Sequence, residues 1–143
     1  MAYKTKYKIL NSSKYIGDPT NIICRSLWER RVCKYLDENK NVIRWGSEEL
    51  AIPYYSPVDK KTHKYFPDFI AEIKVFDKSI KTYIIEVKPK KQTTPPRKKK
   101  KTKSYIRECL IYSVNEAKWE SAKKYCKLNG WDFIILTEDN ILP

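Results

Sequence analysis

The chain has 143 residues, 41% hydrophobic and 13% aromatic, which suits one packed domain and excludes a disordered polymer. Lys and Arg number 30 against 17 Asp and Glu, a net charge of +13. An excess that large repels itself in a small fold and points to a polyanionic partner, nucleic acid first. No apolar run reaches membrane-spanning length, and residues 1–11 lack the apolar stretch of a signal peptide, so no membrane partner is expected.

Residues 1–19 are polar, with Lys and Tyr mixed, and read as an N-terminal arm. Helical periodicity begins near Ser26, a good N-cap, with Trp28, Val32, Tyr35 and Leu36 on one side and Asn39 and Asn41 at the exit. Residues 42–55 read as extended, broken near Gly46 and Ser47, with Pro53 and Pro57 limiting sheet pairing. Residues 66–76 alternate: Phe69, Ala71, Ile73 and Val75 on one side, Asp68, Ile70, Glu72 and Lys74 on the other. Asp77, Lys78 and Ser79 form a hairpin turn, and residues 80–88 are the next strand. From Lys88 to Lys103 there are nine Lys or Arg and no acidic residue, with Pro95 and Pro96 inside, so residues 89–103 read as a basic loop. Residues 104–128 are helical, in two pieces if Asn115 caps the second, and Gly130 fits the stop. Residues 131–136 form a last, buried strand. The order helix, three strands, helix, strand is α/β, a central mixed sheet flanked by helices.

Within this pattern, Pro67-Asp68 is followed after a hairpin by Glu86-Val87-Lys88. Alternation along a strand sends Glu86 and Lys88 to one face and Val87 to the other, into the core. In ordinary hairpin register Asp68 comes close to Glu86 at one end of the sheet. Two carboxylates that near repel unless a positive charge lies between them. A hard divalent cation, Mg²⁺ or Mn²⁺, bound by Asp68, Glu86 and the Val87 carbonyl would supply that charge. Such a centre suits phosphodiester hydrolysis, with Lys88 assisting the attacking water and the charge of the transition state. A plain salt bridge between Lys88 and a carboxylate would need no metal. His63, the one histidine, reads as a surface or phosphate-contact residue. The cysteines show no Cys-x-x-Cys pair and read as small core residues on helices, with no zinc site and no disulfide. Tyr54 and Tyr65 stand apart from the other tyrosines by lying near the candidate site.

The constellation Pro67-Asp68 … Glu86-Val87-Lys88 in these strand contexts resembles the PD-(D/E)xK nuclease superfamily. The resemblance implies a restriction-endonuclease-like core and a single nuclease domain over residues 1–143. It also implies an extra acidic residue from the preceding helix, here Glu29, as a metal or water ligand. Ser26-Leu27-Trp28-Glu29 is equally a Ser-x-x-Glu capping box, and the two roles can coexist. Over nearly the whole chain, Gly17-Asp18-Pro19, Arg25-Ser26-Leu27-Trp28-Glu29, Ile52-Pro53-Tyr54, Tyr65-Phe66-Pro67-Asp68-Phe69, Glu86-Val87-Lys88-Pro89 and Asn115-Glu116-Ala117-Lys118-Trp119 resemble the head completion nucleases of T-even-type tailed phages. Transposon-encoded endonucleases share a similar helix–sheet layout. The phage resemblance implies a DNA endonuclease acting on packaged DNA, in the host cytoplasm or the virion, with capsid or portal proteins as possible partners. Two other functions stay open: a DNA-end-binding structural protein without turnover, and a resolvase or repair nuclease. Lys90, Lys91, Gln92, Arg97, Lys98 and Lys99, directly behind Lys88, are the expected contacts to double-stranded DNA, where each neutralised phosphate makes binding salt-sensitive. Oligomeric state stays open, because cutting both strands could need two copies.

Overall fold

A computed structural model describes residues 4–97 and 100–141. Its centre is a four-stranded mixed sheet of β3 (Val42–Ser47), β6 (Phe69–Lys74), β7 (Ile80–Val87) and β8 (Asp132–Leu136), in the order β3-β6-β7-β8. The first two pairings are antiparallel and β7 with β8 is parallel. A parallel neighbour needs a long crossover, supplied here by helix α2 (Lys103–Asn129). Helix α1 (Leu27–Glu38) precedes β3, and a short α3 (Glu138–Ile141) follows β8. For the central sheet, then, the order helix, three strands, helix, strand holds.

Each face of the sheet has its own apolar cluster. On one, Phe69, Ala71, Ile85 and Val87 pack with Val32, Cys33 and Leu36 of α1 and with Trp45, Tyr7, Ile22 and Cys24. On the other, Trp119 and Ala122 of α2 pack with Ile52, Tyr54 and Tyr65. These last three belong to a separate antiparallel hairpin, β4 (Ile52–Tyr55) with β5 (Thr62–Tyr65).

Several expectations are corrected. The N-terminal segment is not a free arm: β1 (Thr5–Lys6) pairs with β2 (Ile23–Cys24), and Tyr7 is buried. The buried Asp37 carboxylate holds this segment, accepting hydrogen bonds from Tyr7 Oη at 2.7 Å, Leu10 N–H at 2.8 Å and Asn11 N–H at 2.9 Å. The extended stretch does not break at Gly46. That glycine lets residue 16 approach, since a Cβ there would lie 3.0 Å from the Ile16 carbonyl oxygen. The break comes at residues 48–51, opened by Glu48 at φ 55°. β5 was not foreseen, and β6 starts only at Phe69. Helix α2 is one unbroken helix. Thr102 caps its start, Gly130 at φ 71° closes its end, and Asn115 is a buried interior residue. No Gly or Pro interrupts it, and one interior Asn carries only a modest propensity cost. β8 is an edge strand and only partly buried. Tyr35 lies on the exposed side of α1, and Cys24 sits on a strand rather than a helix. Cys24, Cys33, Cys109 and Cys126 are free thiols, with the Cys24 and Cys33 sulfurs 3.5 Å apart. Among the described residues no helix is long and apolar enough to cross a membrane.

Candidate active site

The site forms where the β6–β7 ladder ends. The last register pair is Phe69 with Ile85, and the next positions, Asp68 and Glu86, face each other just beyond it. Pro67, fully buried, has no N–H to extend the ladder. The Val87 N–H is instead taken by the Asp68 side chain, donating to Oδ2 at 2.7 Å. Val87 itself is buried in the α1-side core, as expected. The Lys88 N–H donates to the Leu136 carbonyl at 3.0 Å, which fixes the strand end against β8.

Glu86 is buried, and both its oxygens are occupied. Tyr65 Oη donates to Oε1 at 2.5 Å, and the Lys88 ammonium lies 3.5 Å from Oε2. Burial drives the Glu86 carboxyl above the usual carboxylate range, against the pull of Tyr65 and Lys88. Asp68 keeps a side open to water, yet burial by its other neighbours, reinforced by the charge of Glu86, pushes it up to about 8. The Val87 N–H opposes that rise, and Glu29 adds to it. The pair is short of positive charge: the Lys88 ammonium contacts Glu86 and also acts on Asp68, yet both carboxyls stay raised.

Glu29 fills the capping role expected of it. Its N–H donates to Ser26 Oγ at 3.1 Å, the helix cap, and its Oε1 accepts from the Arg25 N–H at 3.3 Å. Burial, with Glu48 nearby, lifts its carboxyl as well. Its charge reaches Asp68, but among the described residues no three His, Cys, Asp or Glu side chains gather into a metal-holding cluster. Arg25 forks onto Glu48 through Nε at 2.8 Å and Nη2 at 3.2 Å.

Three residues here were not singled out individually from the sequence. Arg25 and Glu48 edge the site from the α1 side. Lys118 reaches it from α2: its ammonium lies 5.7 Å from the Tyr54 ring centre and 5.8 Å from that of Tyr65, and its charge acts on Glu86. The available signal was helical spacing, since Lys118 shares a stripe with the buried Asn115, Trp119 and Ala122. Of the residues behind Lys88, the Lys90 ammonium pairs with Asp139 at 2.9 Å and its N–H donates to Glu138, so Lys90 also docks α3. Lys91, Gln92 and Arg97 are exposed. Lys98 and Lys99 lie outside the described residues. His63 is an exposed surface residue, its Nε2 2.6 Å from Asp59.

Comparison with known proteins places the chain in a family. The family model described as TnsA-like endonuclease N terminal matches residues 39–138, from the end of α1 to the start of α3. The chain belongs to this endonuclease family. Its central mixed sheet with flanking helices is the restriction-endonuclease-like fold. The family match takes in Asp68, Glu86, Lys88 and Lys118, while Glu29 and Arg25 fall before it. The head completion nuclease of Enterobacteria phage T4 is 40% identical over 146 residues, covering 99% of this chain and 95% of that protein.

Proposed function

We propose that this protein is a Mg²⁺- or Mn²⁺-dependent DNA endonuclease that hydrolyses phosphodiester bonds in packaged phage DNA during head completion, with Asp68, Glu86 and Lys88 as its centre. One observation carries the reading: two carboxylates, both raised by burial, and one ammonium meet where the β6–β7 ladder ends. The donor set fits a hard divalent cation. Asp68, Glu86 and the Val87 carbonyl would hold it, with Glu29 as a further oxygen donor or water contact. Bound there, such an ion orients the scissile phosphate, offsets developing negative charge and makes a water more acidic.

The chain's own groups do the rest. The Val87 N–H fixes Asp68, and the Tyr65 hydroxyl and Lys88 fix the two oxygens of Glu86. Lys88 then holds the attacking water and stabilises the charge gathering on the phosphoryl oxygens as the new P–O bond forms and the old one breaks. Lys91, Gln92 and Arg97, with Lys98, Lys99 and in part Lys90, contact the double-stranded DNA backbone. Residues 1–143 act as one nuclease domain, in the host cytoplasm or in the virion with capsid or portal proteins. The chain's near full-length likeness to a head completion nuclease supports that setting.

The test is cleavage of supercoiled plasmid with Mg²⁺, Mn²⁺ or EDTA, wild type beside Glu86→Gln. Metal-dependent nicking or linearisation, absent in the variant, is expected. Cutting that persists in EDTA or in Glu86→Gln overturns the site. A folded wild type that binds DNA without ever cutting it speaks for a DNA-end-binding structural protein. Preferential cutting of branched or nicked DNA speaks for a resolvase or repair nuclease.

A further inference from the structure

Lys118 brings a cation from α2 to the edge of the active site. It is half-buried. Of the lysines on that helix, Lys123 is instead engaged at the surface with Glu120. No carboxylate lies within ion-pair distance of the Lys118 ammonium among the described residues. Glu86, the anion its charge acts on, is already bound by Tyr65 and Lys88.

The ammonium is also held in place. Ile52 pairs directly with Tyr65 across the β4–β5 hairpin, so Tyr54, two residues on from Ile52, is a diagonal neighbour of Tyr65 on the same face. The two rings make a platform on which the Lys118 ammonium rests, 5.7 and 5.8 Å from their centres. Cation–π contact is an attraction of about 0.5–1 kcal/mol at open sites, too weak to replace a counter-ion for a partly desolvated lysine. A flexible stem fixed in advance, with its charge unanswered, suits an anion that arrives from outside. The hairpin adds exposed Lys60, Lys61 and Lys64 beyond the platform, and Lys100, Lys101 and Lys103 are exposed where α2 begins. A polyanion drawn into this field meets Lys118 beside the carboxylate pair.

We propose that Lys118, braced on Tyr54 and Tyr65, is a DNA-binding residue that takes a backbone phosphate next to the scissile one and so sets the strand against Asp68, Glu86 and Lys88. This rests on the nuclease reading above, yet its first test needs no turnover. Binding of a short labelled duplex is measured in EDTA over a range of salt for wild type, Lys118→Met, Lys118→Arg and the exposed-site control Lys124→Met. Loss of one phosphate contact lowers the slope of log K against log salt by about 0.9. Lys118→Met should show that loss, Lys118→Arg should restore most of it, and Lys124→Met should match wild type. With Mg²⁺, Lys118→Met should raise KM several-fold more than it lowers kcat.

An unchanged slope in Lys118→Met, with a lowered melting temperature, would make Lys118 a brace between helix and hairpin and overturn the proposal. An unchanged slope with a loss confined to kcat overturns it too, since the lysine would then act on Glu86 alone. If Lys118→Met does not fold, Lys118→Gln keeps the polar end and the same slope decides. A wild type that binds but never cuts defeats the nuclease reading and leaves the slope comparison to stand by itself.

Discussion

The raised carboxyl of Asp68 makes a stability prediction that can be measured without any cleavage assay. In the folded chain Asp68 is pushed up to about 8, by burial first and Glu86 second, whereas an unfolded aspartate titrates near about 3.9. Between those values the folded protein binds more protons than the unfolded one, so stability falls as pH rises. The contribution is full below the unfolded value and is lost by the time pH passes the folded one. At neutral pH the loss has a ceiling of about 4 kcal/mol, and screening on the open side of Asp68 brings it to about 2–3 kcal/mol. Asp68→Asn keeps an oxygen for the Val87 N–H and carries no charge. Urea unfolding in EDTA should therefore find Asp68→Asn more stable than wild type by that amount at pH 7, with the gap closing near pH 4. Saturating Mg²⁺ should reverse the order, because a ligand at a thousand times its Kd stabilises the native state by about 4.1 kcal/mol, and the variant has lost one of its donors. A gap that does not narrow with acid, or a variant less stable than wild type at pH 7 in EDTA, would refute the claim that crowded, buried charge governs this end of the sheet.

Tyr65→Phe removes the hydroxyl from Glu86 and leaves a buried carboxylate oxygen without its donor. It should cost about 1–3 kcal/mol in unfolding experiments and slow cleavage about tenfold with little change in DNA affinity, since a fall of that size reflects about 1.4 kcal/mol of lost transition-state orientation. Asp37→Ala strands the N-terminal segment. Burial alone would raise the Asp37 carboxyl, but donors from Leu10, Tyr7 and Asn11 outweigh it and hold the group below the usual range. The stability it confers is thus present above the unfolded aspartate value and lost as pH falls through the folded one. The variant should be less stable at neutral pH by about 3 kcal/mol, with new cleavage by trypsin confined to residues 4–22 under mild digestion; an unchanged digestion pattern would show that the segment is held by other contacts.

What could be read in advance and what could not follow from the range of the forces involved. Helix α1, its Ser26 cap, the Asp77–Lys78–Ser79 turn and the alternation through Phe69, Ala71 and Ile73 are local, so periodicity and turn chemistry reveal them. The meeting of Asp68 with Glu86 was legible because a hairpin converts sequence spacing into register. The docked N-terminal segment was not, because it depends on Asp37 some 30 positions away. Gly46 looks like a break by composition and is in fact a place of close approach, a distinction only the neighbouring Ile16 carbonyl makes. Asn115 looks like a cap by type, yet the helix runs past it because burial of the Trp119 and Ala122 face outweighs one poor helix former. Lys118 was hidden in the mixed polarity along the 27 residues of α2, and only the Tyr54 and Tyr65 rings set it apart from the other lysines.

The site lies where backbone pairing between β6 and β7 gives way to a side chain. Pro67, just beyond the ladder and opposite Val87 in the same register, has no N–H to offer the Val87 carbonyl, so the pairing cannot close there. The last pair of the ladder is Phe69 with Ile85, and beyond it the Val87 N–H donates to the Asp68 carboxylate in place of a backbone carbonyl. That places a carboxylate at the sheet end opposite Glu86, a position where charge is hard to solvate. The surrounding elements then supply compensating groups: Arg25 just before α1, Lys88 at the end of β7, the Tyr65 hydroxyl from the β4–β5 hairpin and Lys118 from α2, while Glu29 of α1 adds further negative charge. The compensation is incomplete at Asp68, whose carboxyl remains raised. A cation on one side and a phosphate-bearing strand on the other would complete it together, since the ion answers the carboxylates and the phosphate answers the lysines. Neither ligand alone leaves the cluster balanced, so metal and DNA should each bind more tightly when the other is present.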